Sequence, residues 1–154
     1  MPTCVVAAPP SLRDLVGKEI AVTPWFELTG ERIRKFAEVT EDQQWIHVDK
    51  ERARLESPYG CTVAHGFLVL SLASYFLKQA IEIRHGVRLA INYGLNRVRF
   101  PAPVPADSKI RARVTLRVLK ELPDCVEATY SVSIEGEGAT KPSCLAEWIL
   151  RYYP

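Results

Sequence analysis

Apolar and polar residues alternate through the second half of the chain, and that period of two predicts strands. Ile110, Ala112, Val114, Leu116 and Val118 alternate with Arg111, Arg113, Thr115 and Arg117. Val126, Ala128, Tyr130, Val132 and Ile134 alternate with Glu127, Thr129, Ser131, Ser133 and Glu135, and Cys144, Ala146, Trp148, Leu150 and Tyr152 supply one face of a last strand. Successive side chains on a strand point to opposite faces, so each run has one apolar face to bury. Turn chemistry at Leu122-Pro123-Asp124 and Gly136-Glu137-Gly138 separates the runs. Leu89 to Phe100 predicts a further strand ending at Pro101-Ala102-Pro103. Glu19 to Phe26 alternates loosely, with Pro24 marking an edge or a bulge.

The first half changes period. Thr29 is placed to cap a helix with Glu31 in its first turn, and Ile33, Phe36 and Ala37 repeat at helical spacing while Arg32, Arg34, Lys35 and Glu38 face water. That helix should end near Thr40. Ser57-Pro58-Tyr59-Gly60 is a turn cluster. From Thr62 apolar residues cover nearly every side of a helix: Val63, Ala64, Phe67, Leu68, Val69, Leu70, Leu72, Ala73, Tyr75, Phe76 and Leu77. A membrane span needs about 20 mostly apolar residues. This run is interrupted by His65, Gly66, Ser71 and Ser74 and closed by Lys78, so it predicts a buried central helix. A one-face-buried antiparallel sheet wrapped around that helix meets both burial demands, an α+β arrangement.

Composition narrows the classes. The chain has 154 residues, the length of a single domain with a sizeable core, here residues 1–154. Apolar residues make up 47% and charged residues 25%, and the formal net charge of +2 offers no bulk attraction for nucleic acid. Residues 1–12 lack a basic start and a long apolar run, so they read as a loose arm rather than a signal peptide. Cys4, Cys61, Cys125 and Cys144 are scattered, with no Cys-x-x-Cys pair. Cys125 and Cys144 could sit on neighbouring strands, but free thiols in a reducing cytosol are the simpler reading. Cys61 and His65 lack the further ligands a metal site needs, so no metal is expected.

Asp42 and His47 are the candidate chemistry. Five residues on a helix rotate by about 140°, and an odd separation on a strand reverses the face, so the two converge only if the chain leaves regular structure between them. From spacing alone, a solvated aspartate and a capping histidine in a helix-terminal loop is the simpler account.

Several segments in order alter that account. Asp42-Gln43-Gln44-Trp45-Ile46-His47 resembles the Asp-x-Asn-Pro-hydrophobic-His signature of the MaoC-like, (R)-specific enoyl-CoA hydratase family. Ala64-His65-Gly66-Phe67 is similar to that family's Val-His-Gly-Met, Ser74 matches a serine eight residues after the glycine, and Val98 to Val104 resembles the stretch leading into the next strand. The family's glycine before the aspartate is Glu41 here and its Asn-Pro is Gln44-Trp45, a variant similar to a subgroup that includes nodulation-protein-N-like sequences.

The resemblance implies a hot-dog fold and a homodimer whose sheets join. It also implies (R)-specific hydration of trans-2-enoyl thioesters to (R)-3-hydroxyacyl thioesters, or the reverse dehydration. Asp42 and His47 would handle one water, and the Gly66 amide would receive the enolate-like oxygen. Gln44, Trp45, His65 and Ser74 would shape or support the pocket, with His65 ordering the helix start. The substrate would be a coenzyme A or carrier-protein thioester, with no separate cofactor and no metal, in the cytoplasm, away from nucleic acid and membrane. Two rivals use the same residues: a hot-dog acyl-CoA thioesterase, and a non-catalytic acyl-binding subunit of a dehydratase complex. Arg111, Arg113 and Arg117 read as a solvated sheet face paired with Glu127 or Glu135, while Arg97 and Arg99 are candidates for ligand contact.

Overall fold

The computed structural model describes residues 4–154. The alternating runs become the three central strands of a six-stranded antiparallel sheet: β6 (Ser108–Glu121), β7 (Val126–Gly136) and β8 (Pro142–Tyr153). β5 (Leu89–Arg99) pairs with β8 at one edge. At the other, β2 (Glu19–Val22) and β3 (Phe26–Leu28) pair with successive parts of β6. The expected strand from Glu19 to Phe26 is thus two strands, broken around Pro24. Across the break, the Thr23 N–H donates to the Ala112 carbonyl, and the Ala112 N–H donates to the Thr23 hydroxyl at 2.9 Å. The Thr23 hydroxyl therefore takes the ladder bond that a main-chain carbonyl would otherwise accept.

The period-two faces fall as the alternation predicts except at Val118, which a bulge after Leu116 turns to the exposed face. Ile110, Ala112, Val114 and Leu116 on β6, Ala128, Tyr130, Val132 and Ile134 on β7, and Cys144, Ala146, Trp148, Leu150 and Tyr152 on β8 are all buried on one face. Arg111 and Arg113 lie on the other face and pair with Glu135, and Arg151 pairs with Glu127. The buried face receives α4 (Gly66–Ser71) and α5 (Ala73–Ala80), joined through Leu72, with α4 against β8 and α5 against β6 and β2. Phe76 and Ala80 are fully enclosed there. This is the sheet wrapped on a central helix that the hot-dog expectation requires. One side of the helix stays open, however: Phe67 is 68% and Tyr75 42% exposed. No helix of the described residues is long and apolar enough to cross a membrane.

The N-terminal arm is not loose. β1 (Cys4–Val6) pairs in parallel with β4 (Ile81–Ile83), and a 3-10 turn over Pro9–Leu15 drives Leu12 fully into the core. Apolar content too short to read as an element was enough to dock the segment on the end of the central helix. Residues 1–3 of the expected arm lie outside the described residues.

All four cysteines are free. Cys144 pairs with Ile134, whereas Cys125 precedes Val126, which pairs with Tyr152 at the opposite end of the same ladder, so the two cannot bridge. Burial pushes the Cys144 thiol up to about 11, which leaves it a packing residue rather than a nucleophile.

Candidate active site

Three short elements deliver the candidate pair. α1 (Gly30–Thr40) opens on a Thr29 side-chain cap to the Arg32 N–H, with the Asp107 carboxylate accepting from the Gly30 N–H at 2.8 Å. It ends at Glu41, whose φ of 59° is left-handed. That turn throws Asp42 out of the helix, and the chain then re-enters helix for one turn, α2 (Trp45–Val48), followed by α3 (Lys50–Glu56). The irregular residues between α1 and α2 provide the departure from regular structure that the five-residue spacing demands.

Glu41 stands where the resemblance expects glycine. A side chain in the left-handed region costs roughly 1–2 kcal/mol, partly offset by the greater freedom glycine has in the unfolded chain. Glu41→Gly should therefore raise the unfolding free energy by about 0.5–1 kcal/mol in urea denaturation. A variant no more stable than its parent would show that the turn carries no strain.

His47 is buried, and its ring is fixed by a bond from Nδ1–H to the Val63 carbonyl at 2.7 Å. That bond sets the neutral tautomer, leaving the Nε2 lone pair free to accept. Burial lowers the His47 pKa below the ordinary 6.5 as its main cause. The Val63 carbonyl opposes that shift, the His65 charge adds to it and Asp42 opposes it. Since the neutral ring is the accepting form, the acid limb of a pH–rate profile should lie below 6.5. A limb at or above 6.5 would contradict a buried neutral His47. The same shift makes folding pH-dependent. The unfolded chain takes up this proton first as pH falls through 6.5, so stability is lost between that value and the lower folded-state value.

Asp42 is exposed at the mouth of the site. One ligand atom from each of Asp42, His47 and His65 lies within 4.8 Å of the others. Such a spacing between an aspartate oxygen and an imidazole nitrogen is one that a single water can span. It does not make a metal site. The His47 and His65 rings stack with centroids 3.7 Å apart and planes inclined by 26°. An imidazole points its lone pair within its own ring plane, at about 2.0–2.1 Å from a zinc ion. Nearly face-to-face rings send those lone pairs along lines that do not meet at such a distance.

Gly66 is the first residue of α4, whose opening N–H groups have no partner within the helix. Glycine at this position lets a thioester carbonyl approach the amide with no Cβ in the way. The structure adds a second reason. A Cβ at this position would lie 2.9 Å from Cγ of Phe100 and 3.0–3.1 Å from its Cδ carbons. Phe100 is therefore a site residue that sequence reasoning missed, since nothing in Arg99-Phe100-Pro101 announces a ring lying on a helix start 34 positions earlier in the chain.

The remaining candidates divide. His65 is 2% exposed and belongs to the cluster, but it does not cap α4 by its side chain, as ordering the helix start would require. Its Nε2–H instead donates to the Asp42 carbonyl at 3.0 Å. Gln44 contributes through its backbone, its carbonyl accepting from the His47 N–H, while its side chain makes no capping bond. Trp45 is half-buried beneath the Arg52 guanidinium, 4.5 Å from the ring centre. Ser74 sits two turns beyond Gly66 and lines a cavity of about 520 Å³ with Leu77, Ile81, Val87 and Trp148. Arg97 and Arg99 pair in register with Glu147 and Leu145, on the sheet face opposite the central helix, and are not brought together with Asp42 and His47.

Known proteins resemble this chain in sequence and in fold. The family model described as MaoC like domain matches residues 12–135. The chain is 47% identical over 146 residues to 3-hydroxyacyl-thioester dehydratase Z of Mycobacterium tuberculosis, covering 92% of this chain and 95% of that protein. It is 38% identical to Nodulation protein N of Rhizobium leguminosarum bv. viciae, covering 90% and 89%. In structure it resembles the (R)-hydratase of A. caviae involved in PHA biosynthesis, with a TM-score of 0.71 at 23% identity, covering 90% of this chain and 96% of that one. With a family match spanning most of its length and full-length relatives of this similarity, the chain belongs to the MaoC-like dehydratase family.

Proposed function

We propose that the protein hydrates trans-2-enoyl thioesters to (R)-3-hydroxyacyl thioesters, or runs the reverse dehydration. The observation that carries this reading is the Asp42–His47 pair, spaced for one water, with Nδ1 of His47 committed to Val63 and Nε2 free. An ionised Asp42 and that Nε2 both accept, so together they take the two hydrogens of a water and leave an oxygen lone pair for C3. One member of the pair takes a proton as the C3–O bond forms and electrons shift onto the thioester oxygen. The Gly66 N–H stabilises that oxygen, and the proton then passes to C2 from the same side. No redox or metal step enters. The curated mycobacterial relative is named for the same bond chemistry.

We also infer a homodimer joined along β5. This strand is an open edge, and its Leu89, Ile91, Tyr93 and Leu95 are all at least 40% exposed, an arrangement that proteins normally cover. The four free thiols suit a cytoplasmic setting.

The test is turnover of short and medium trans-2-enoyl-CoA by the purified protein, followed by loss of the conjugated enoyl absorbance. A parallel assay for free thiol and oxidation of the product by an (R)-specific 3-hydroxyacyl-CoA dehydrogenase identify what forms. Hydration without thiol release is expected. Thiol release would instead identify a thioesterase, and binding without turnover an acyl-binding subunit.

A further inference from the structure

His65 occupies the N-cap position of α4 yet makes no side-chain capping bond. Its ring is almost wholly enclosed, packed against Phe36 at 5.0 Å and stacked on His47 at 3.7 Å. Its Nε2–H reaches back 23 positions to the main-chain carbonyl of Asp42, and its Nδ1 is buried with no hydrogen-bond partner. Leaving a buried acceptor unmet costs stability, and a phenylalanine would fill the same space without it. What a histidine adds over an apolar ring is the bond to Asp42.

We propose that His65 is a positioning residue for the hydration reaction, pinning the Asp42 main chain through its Nε2–H while its ring sets the plane of His47. The inference rests on the proposed function, and it makes one side chain responsible for both members of the pair. Asp42 leaves α1 through the Glu41 turn into a segment without regular structure, so a tie on its carbonyl limits where the carboxylate sits. Displacing a reacting group by about 1 Å can cost on the order of 10²-fold in rate. The groups that bear on His47 are the Asp42 carboxylate from the loop after α1, His65 from the head of α4 and the Val63 carbonyl from the extended segment before it. Of the two titratable neighbours, His65 pushes the His47 pKa down and Asp42 pushes it up.

The variants that decide are His65→Phe and His65→Leu, which lose the donor, against His65→Gln, which keeps an N–H within reach of the Asp42 carbonyl. The apolar variants should lose about 10- to 100-fold in kcat with little change in KM, and His65→Gln should be at least about tenfold more active than either. In the apolar variants the backbone amide signals of Asp42 and Gln43, followed by NMR, should shift and broaden relative to the parent because the tie on the Asp42 carbonyl is gone, whereas His65→Gln should keep them near their parental positions. Apolar variants as active as His65→Gln, or Asp42 and Gln43 amide signals unmoved in a folded apolar variant, would reduce His65 to filler and overturn the proposal. Two apolar side chains are used so that a folding failure in one leaves the other. The amide signals do not depend on turnover, so a parent that hydrates nothing would defeat the functional reading while the NMR arm still judged the positioning one.

Discussion

Asp42→Asn should lower kcat/KM for enoyl-thioester hydration by roughly 10²–10⁴-fold, the range for losing a general acid or base. Its thermal midpoint should stay within about 1–2 °C of the parent, as for a surface substitution in a domain of this size. The two readouts separate because Asp42 is exposed and its side chain contributes little to packing, whereas its carboxylate is one of two acceptors for the water. Asparagine keeps the shape and one acceptor oxygen but cannot hold a proton. His47→Gln should fall by a similar factor with a measurable loss of stability as well, because His47 is buried and bonded to Val63. A folded Asp42→Asn enzyme retaining more than about a tenth of parental activity would remove Asp42 from the proton path. The pH profile supplies an independent check. In Asp42→Asn the counter-charge that favours protonated His47 is gone, so any residual activity should show an acid limb at still lower pH.

What the sequence could and could not convey follows from the range of the forces involved. Alternation along β6, β7 and β8 is a local signal that burial enforces, and of the inward residues named from that period only Val118, turned out by the bulge after Leu116, and the half-buried Val126 are not buried. The Thr29 cap and the end of α1 near Thr40 were equally legible, because capping is decided within one turn. The Asp42–His47 pair was legible by its spacing and its resemblance. The tautomer of His47 was not, because it depends on the carbonyl of Val63, and any residue at 63 would supply one. The Asp42 carbonyl bound by His65 is hidden for the same reason: the acceptor is backbone, and a side-chain alphabet does not record it. The arm failed in another way. Leu12 is one apolar residue among prolines and polar groups, without a period, and its burial is set by β1 pairing with β4 seventy-odd residues on. Phe67 and Tyr75 erred in the opposite direction, since an apolar residue on a helix does not declare whether its own chain or another covers it.

Gly66→Ala should damage stability and activity together, and Phe100 should decide how much. The new methyl carbon would lie 2.9–3.1 Å from three carbons of the Phe100 ring, closer than carbon atoms pack, so either the ring or the helix start must move. Overpacking of this kind typically costs about 1–3 kcal/mol. The ring is partly exposed, which places the expected loss toward the lower end of that range. If the helix start gives way, the Gly66 N–H leaves its line to the thioester oxygen, and a lost oxyanion donor costs about 10²–10³ in kcat. If the ring swings out, the amide stays and the rate falls far less. Adding Phe100→Ala to Gly66→Ala separates the two. Relieving the clash should return most of the stability lost to the methyl group, measured against Phe100→Ala alone. It should also recover kcat by at least about tenfold over the single Gly66→Ala variant, since the alanine amide can then occupy the glycine's place. Recovery of stability without recovery of rate would mean that the methyl group itself blocks the thioester, and that glycine is required at this position for the substrate rather than for Phe100.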